Sequence, residues 1–475
     1  MDHRPRAHLR PATGWLNDPT GPVRWNGSIH LFHQHNPDGG YWARPHWGHL
    51  VSEDLVHWQR RPTALSPDDA GPDVDGCYSG CVVVDGDEAV MVYTGARGEV
   101  GPSQEQATCL ARSQDRWLDR WEKDPANPVT TAPQDRGLLG FRDPFVWHEA
   151  GCWWQMIGAG SAELGGAALL YRSGDLVTWT EVGTLLTGVD LFAVDPEEWT
   201  GSMWECPALL RGRDADALLI SIHDEDTTSH PLAVVGRLEG ARFVPWTIQR
   251  IDLGPDLYAP CLLADGDGRA ISWAWSWEAR TPERQRLEGW AGTLTSPRRL
   301  EVHEDRVRVA PLPELTGLRD VSLTPRRIAT TDGWLADGVE GDGLDLELDL
   351  GPSVDRLELR VRRSPELDEV TTIGIDRADG RLWLDREHAS LDPSARGGRL
   401  GGAPSTSLPM DHVRVLLDRS IIEVFVDDEV ALTARVYPSR PDSTGVEVVG
   451  TPAAIADVRL RAWTLGSIWG DDAPS

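Results

Sequence analysis

The segment Ser52-Glu53-Asp54-Leu55-Val56-His57-Trp58 returns as Ser173-Gly174-Asp175-Leu176-Val177-Thr178-Trp179. A degraded copy lies between them, Ser113-Gln114-Asp115 with Trp117 and Trp121 behind it. The copies start at residues 52, 113 and 173, a step of 61 and then 60. Each period holds several short apolar runs. Cys81-Val82-Val83-Val84 and Ala89-Val90-Met91-Val92-Tyr93 flank the turn Asp85-Gly86-Asp87-Glu88. Phe145-Val146-Trp147 and Cys152-Trp153-Trp154-Gln155-Met156 repeat that device. A period near 60 with about four strands in each suggests radial repetition, and about five periods fill some 300 residues. The reading is all-β, a five-bladed β-propeller over residues 1–305. The repeat alone leaves a β-sandwich as the alternative.

The texture changes near Pro311-Leu312-Pro313-Glu314-Leu315. Beyond it Leu344, Leu346, Leu348 and Leu350 alternate with acidic residues, and Leu357-Glu358-Leu359-Arg360-Val361 continues the pattern. One dry and one wet face per strand is the signature of an antiparallel sandwich. A linker is expected at 306–319 and a C-terminal β-sandwich at 320–475.

Composition narrows the function. The chain has 475 residues, 46 basic and 75 acidic, for a formal charge of −29. Such a polyanion is repelled by nucleic acid and by anionic membranes, so neither is expected as a partner. There are 22 Trp against 6 Tyr and 6 Phe, and indole faces stack on the C–H faces of sugars. The six Cys show neither paired spacing nor a zinc pattern, so free thiols in a reducing compartment are expected. Met1 to Pro11 is polar with no apolar run after it, so no signal peptide is expected and the cytoplasm is the expected location. His30, His33, His35, His46, His49 and His57 crowd one stretch, but alternating strand positions point them apart and no metal site is expected.

Three acids stand in unusual settings: Asp18 in Trp15-Leu16-Asn17-Asp18-Pro19-Thr20-Gly21, Asp143 in Phe141-Arg142-Asp143-Pro144, and Glu205 in Trp204-Glu205-Cys206-Pro207. A lone Asp-Pro is ordinarily a turn. Here the phase matters. Ser79 follows Asp18 by 61 residues, Asp143 follows Ser79 by 64, and Glu205 follows Asp143 by 62. Equal phase places these residues at equivalent points on successive blades, where inner strands converge. Carboxylates meeting in an aromatic pocket suit glycoside hydrolysis, which needs one anion and one proton donor. Glu205, between Trp204 and Cys206-Pro207, has the drier setting and fits the acid. Asp18, beside Asn17, fits the nucleophile. Asp143 would grip sugar hydroxyls, with Arg142 keeping it ionised.

These segments resemble glycoside hydrolase family 32, the β-fructofuranosidases. Trp15-Leu16-Asn17-Asp18-Pro19-Thr20-Gly21 looks like that family's nucleophile motif. His30 to Pro37, Trp47-Gly48-His49, Tyr78-Ser79-Gly80, Arg142-Asp143-Pro144, Trp204-Glu205-Cys206-Pro207 and Asp256-Leu257-Tyr258-Ala259 are similar to further blocks in order. Asp418-Arg419-Ser420 with Glu423-Val424-Phe425 resembles the signature of its sandwich. The resemblance implies a retaining hydrolase of terminal fructofuranosides such as sucrose or fructo-oligosaccharides, without cofactor. It implies Asp18 as nucleophile, Glu205 as acid/base and Asp143 as transition-state stabiliser. It also implies a fructosyl subsite lined by Asn17, Gln34, Trp42, Trp47, Tyr78, Ser79, Arg142, Asp256 and Trp277. Leu16, Thr20, Cys81 and Ala208 depart from the family pattern where acceptor choice would be set. Transfructosylation and non-catalytic fructan binding are the competing readings, the second disfavoured because all three carboxylates are present.

Overall fold

The structure is a computed structural model, described over residues 2–224, 227–264, 269–404 and 408–470. It is all-β, with a few short helices. Among the described residues, five sheets, antiparallel but for one short parallel pairing, lie up to Pro311 and two follow it.

The recurring Ser-x-Asp turn explains how three of the five sheets are stitched. Ser52 Oγ accepts the Leu55 amide, and Asp54 Oδ1 accepts those of Val56 and His57. The turn forces Leu55 to φ +67°, and the Trp58 indole caps the Leu55 carbonyl. Asp175, Leu176 and Trp179 repeat the construction in the third sheet, Leu176 with φ +65°. The degraded copy also repeats it. Asp115 accepts two turn amides, Leu118 has φ +57°, and the Trp121 indole donates to the Leu118 carbonyl at 2.9 Å. Trp121 is thus the equivalent tryptophan, and Trp117 is an exposed bystander. A side-chain oxygen collecting amides stands in for a backbone turn, so the motif survives loss of its Leu-Val core.

The opening strands of the five sheets are Gly14–Trp25, Gly76–Asp85, Gly140–Glu149, Met203–Arg211 and Tyr258–Ala264. Each packs on the next, and the fifth packs on the first. The ring is fastened where Trp290–Ala291 pairs parallel to Gly14–Trp25. Arg306–Pro311, inside the stretch expected as linker, pairs fully with Arg298–His303 and belongs to the fifth sheet. A 3₁₀ turn at Pro313–Leu318 then leads to a six-stranded and a seven-stranded sheet. Leu344, Leu346, Leu348, Leu357, Leu359 and Val361 fill the core that these two sheets share. No helix among the described residues is long and apolar enough to cross a membrane.

The two parts are joined by buried ions. The N-terminal segment threads between them. Asp418 accepts the amides of Arg6 and Ala7 and bonds His8 Nδ1 at 2.9 Å, while Glu423 bonds His8 Nε2 at 3.0 Å. Arg298 pairs with both Glu423 and Asp252. Burial by itself would lower the pKa of His8, but its bonds to Asp418 and Glu423 outweigh that and raise it from 6.5 to about 9. The His8 contribution is therefore complete below pH 6.5 and is lost as pH rises through about 9. Glu423 is held at about 2 despite burial, by Arg298 and His8, so its contribution is lost only as pH falls below 4.5 toward 2. The melting temperature is expected to fall as pH rises from 7 to about 9. His8→Gln should lower stability at pH 6 and flatten this alkaline limb. An unchanged slope by calorimetry would remove His8 from the account.

Candidate active site

Every opening strand carries a register break at the same place. The breaks lie between Asn17 and Pro19, Tyr78 and Gly80, Arg142 and Phe145, Glu205 and Ala208, and Tyr258 and Cys261. In three of the five a proline, Pro144, Pro207 or Pro260, stands in the break, and in a fourth Pro19 bounds it. Proline has no N–H for the ladder, which favours a skip in the pairing, and a bulge bends the strand and re-aims its side chains. Asp143, Cys206 and Ala259 take left-handed φ of +63°, +46° and +48°, a strained choice for residues with a Cβ. The acid-Pro motif is thus the device that turns a carboxylate out of its sheet toward the axis of the ring.

Asp18, Asp143 and Glu205, from three different sheets, line one cavity of about 860 Å³. Cys206 joins their bases: its amide donates to Asp143 Oδ2 at 3.0 Å, and its Sγ lies 3.6 Å from that oxygen and 3.9 Å from Asp18 Oδ2. Asp18 also accepts the Ser79 hydroxyl at 3.1 Å. Ser79 is held by Gln34 Nε2 at 2.6 Å, and Gln34 Oε1 by Asn17 Nδ2 at 3.2 Å. On the facing side Glu205 accepts Arg142 Nε at 2.8 Å and the Tyr258 hydroxyl at 2.7 Å.

This pairing sets the charge balance among the three carboxyls. Burial and the Glu205 charge push Asp18 up to about 6. Burial and Glu205 likewise push Asp143 up to about 7, against the pull of Arg142. Glu205 is also desolvated, but Arg142, His223 and Tyr258 outweigh burial and lower its pKa. The sequence reading gave the proton to Glu205 and the charge to Asp18, with Arg142 serving Asp143. The guanidinium grips Glu205 instead, which favours the charged form of Glu205 while burial and that charge favour the protonated form of the aspartates. Three carboxylates beside a single guanidinium cannot all ionise cheaply, and the one touching it stays charged.

Of the residues implied to line the fructosyl subsite, Asn17, Gln34, Trp42, Tyr78 and Arg142 line the cavity. Four do not. Trp47 is fully buried in the core between the first two sheets, where its indole donates to the Tyr78 carbonyl at 3.0 Å. Ser79 sits behind Asp18 as its hydrogen-bond donor. Asp256 is buried and saturated by Arg386, the Arg435 amide and the Trp277 indole, so it ties the ring to the C-terminal sheets. Trp277 lies behind the Tyr258 ring, stacked at 5.9 Å and 15°. The missed residue is Tyr258. Its signal was present: Tyr258-Ala259-Pro260 has the same offset to proline as Glu205-Cys206-Pro207. Among the described residues no group of three or more His, Cys, Asp or Glu is arranged to hold a metal ion.

Residues 8–311 match the family description "Glycosyl hydrolases family 32 N-terminal domain", and residues 314–464 match "Glycosyl hydrolases family 32 C terminal". The chain belongs to glycosyl hydrolases family 32. Its family relatives match along almost their whole length. The raffinose invertase of Escherichia coli is 34% identical over 489 residues, covering 98% of this chain and 94% of that one. The sucrose-6-phosphate hydrolase of Escherichia coli is 30% identical over 486 residues, covering 97% and 95%. The Bombyx mori GH32 beta-fructofuranosidase, solved as a mutant in complex with sucrose, superposes with a TM-score of 0.83 at 28% identity, covering 100% of this chain and 95% of that one.

Proposed function

We propose that this enzyme releases terminal β-D-fructofuranosyl units from sucrose or fructo-oligosaccharides by double displacement, with Asp18 as nucleophile, Glu205 as acid/base and Asp143 as stabiliser. It is a β-fructofuranosidase-type glycoside hydrolase that releases fructosyl units. The observation that carries the assignment of roles is the convergence of three carboxylates from three sheets on one sugar-sized cavity. Five sheets whose opening strands close a ring support a five-bladed β-propeller, and two sheets sharing one core support a β-sandwich. We set the boundary between these units near residues 311–314, a reading that the strand pairing at Arg306–Pro311 supports.

In this reading Asp18, ionised, attacks C2 of the fructosyl unit, and the bond from C2 to the leaving oxygen breaks as Glu205 gives that oxygen a proton. Water then attacks C2, Glu205 takes the proton back, and Asp18 leaves as the carboxylate. Asp143 accepts hydrogen bonds from fructosyl hydroxyls. Burial and the Glu205 charge raise Asp18 and Asp143, while Arg142 lowers Glu205, so Glu205 must gain a proton, from an aspartate or from water, before it can protonate the leaving oxygen. The acid limb of kcat/KM is accordingly expected near pH 6, where Asp18 gains its charge. Tyr258→Phe removes a donor from the Glu205 carboxylate, raises its pKa and moves the alkaline limb to higher pH. The same change should cut kcat/KM by about tenfold. A limb that stayed in place would show that Tyr258 does not tune Glu205.

The test of the whole reading is NMR of the first product released from sucrose. Retention gives β-fructofuranose before mutarotation, and initial release of the α anomer overturns the nucleophile assignment. Six free cysteines support a cytoplasmic location.

A further inference from the structure

We infer that the leaving group taken by this enzyme is an uncharged sugar, that a sugar 6-phosphate is rejected electrostatically, and that Asp224 sets this preference. The inference rests on the fructosyl-hydrolase reading above and names its substrate class.

The geometry fixes where the leaving group lies. Asn17, Asp18 and Gln34 form the wall that takes the fructosyl unit. Glu205, which must touch the leaving oxygen, comes from the fourth sheet with Met203, and Asp224 and Thr228 of that sheet line the cavity beside them. The leaving sugar is therefore pressed against a wall that presents a carboxylate.

Holding a phosphate dianion takes fixed cations or a fork of donors. Among the described residues Arg142 is the one Lys or Arg that lines the cavity, and it is committed to Glu205 at 2.8 Å and Gln106 at 3.3 Å. The residues outside the described ranges, apart from the terminal Met1, include no Lys, Arg or His that could supply another. Neighbouring cations are turned elsewhere. Arg97, which leads into the loop that supplies Val100 and Pro102, lies opposite Glu105, on the other face from Gln106. Arg286 lies over the Tyr41 ring, 5.5 Å from its centroid. The sole lysine, Lys123, is bound to Asp73 at 2.6 Å and Asp68 at 3.0 Å. His223 is the remaining basic group on the lining, and it lies near Glu205, whose charge it supports. Against this stand four carboxylates on the lining, Asp18, Asp143, Glu205 and Asp224, inside a chain of formal charge −29. A phosphate monoester carries nearly two negative charges near neutral pH, so it meets repulsion that Arg142, bound to Glu205 and Gln106, and His223, beside Glu205, are ill placed to offset. The rim residues Val100, Pro102 and Leu139 suit the apolar face of a neutral sugar.

The experiment compares kcat/KM for sucrose and for sucrose 6-phosphate, phosphorylated on the glucosyl unit, at low and high NaCl. Sucrose is expected to be favoured by at least about tenfold at low salt, and the gap should narrow severalfold as salt screens the repulsion. Asp224→Asn should raise the 6-phosphate relative to sucrose, and Asp224→Arg should raise it further. A ratio is read in each case, so partial loss of folded enzyme does not move it. Equal or better use of the 6-phosphate would overturn the inference and leave the hydrolase reading intact. So would a preference for sucrose that neither salt nor Asp224→Asn alters, because the discrimination would then be steric. Cleavage of neither compound would overturn both.

Discussion

Asp18→Asn is expected to lower fructose release from sucrose by at least about 10,000-fold, because the amide can neither attack C2 nor balance the developing positive charge. The fold should not suffer. Asp18 is pressed by burial and by the Glu205 charge, which raise its pKa to about 6, so the neutral amide removes a repulsion. Its hydrogen-bond neighbour Ser79 can turn to meet an amide. The melting temperature should hold or rise, as happens when a strained catalytic group is replaced. Glu205→Gln should cost about 1,000-fold or more on sucrose and less on a fructoside whose leaving group needs no proton. A variant at Asp18 that kept even a tenth of normal turnover would end the nucleophile assignment.

Arg298→Ala is expected to destabilise the protein by about 3–5 kcal/mol, the cost of leaving buried carboxylates without their cation. Arg298 is almost wholly buried and bridges Asp252, from the ring, to Glu423, from the C-terminal sheets. Thr433 shares the same guanidinium. The loss should appear as a lower urea midpoint. Adding Glu423→Gln to Arg298→Ala should restore part of it, since the uncompensated charge is the costly element. Restoration by the second change separates a broken ion pair from a simple packing defect. If Arg298→Ala left the midpoint within about 0.5 kcal/mol of the parent, the buried network would not be what holds the two parts together.

The network also gives the Asp418-Arg419-Ser420 and Glu423 segment a physical meaning. Asp418 and Glu423 clasp the N-terminal residues 6–8, Ser420 donates to the His3 carbonyl, and Glu423 reaches Arg298 across the boundary. Glu278 makes a second such joint, accepting from Arg280, Arg435 and the Tyr437 hydroxyl, and these partners hold its pKa at about 2 against burial.

Much of this was legible along the chain because it is local. The Ser-x-Asp turn depends on one side-chain oxygen and amides two or three residues away, so it survives as a readable string even in its degraded copy. The acid-Pro motif is local too: a proline cannot donate to the ladder and favours a bulge, and four of the five opening strands carry one in or beside the break. Alternation in Gly343–Leu350 follows from the pleat alone. These features carried the all-β class, the repeat and the three acids of the cavity. What the string did not hold was which neighbour each side chain would meet. Asp256 and Trp47 stand in blocks that look like site residues, yet one faces Arg386 and Arg435 from beyond residue 380 and the other faces the core of the adjoining sheet. Arg142 adjoins Asp143 in sequence but bonds Glu205, 63 residues away, because the bulge after it turns the two neighbours in different directions. That contact, with burial of the aspartates and the Tyr258 hydroxyl on Glu205, sets the order in which the cavity's carboxyls favour their charged forms. Charge interactions act through space and depend steeply on separation and burial, so the order of residues names the ionisable groups, and folding sets which of them is the anion.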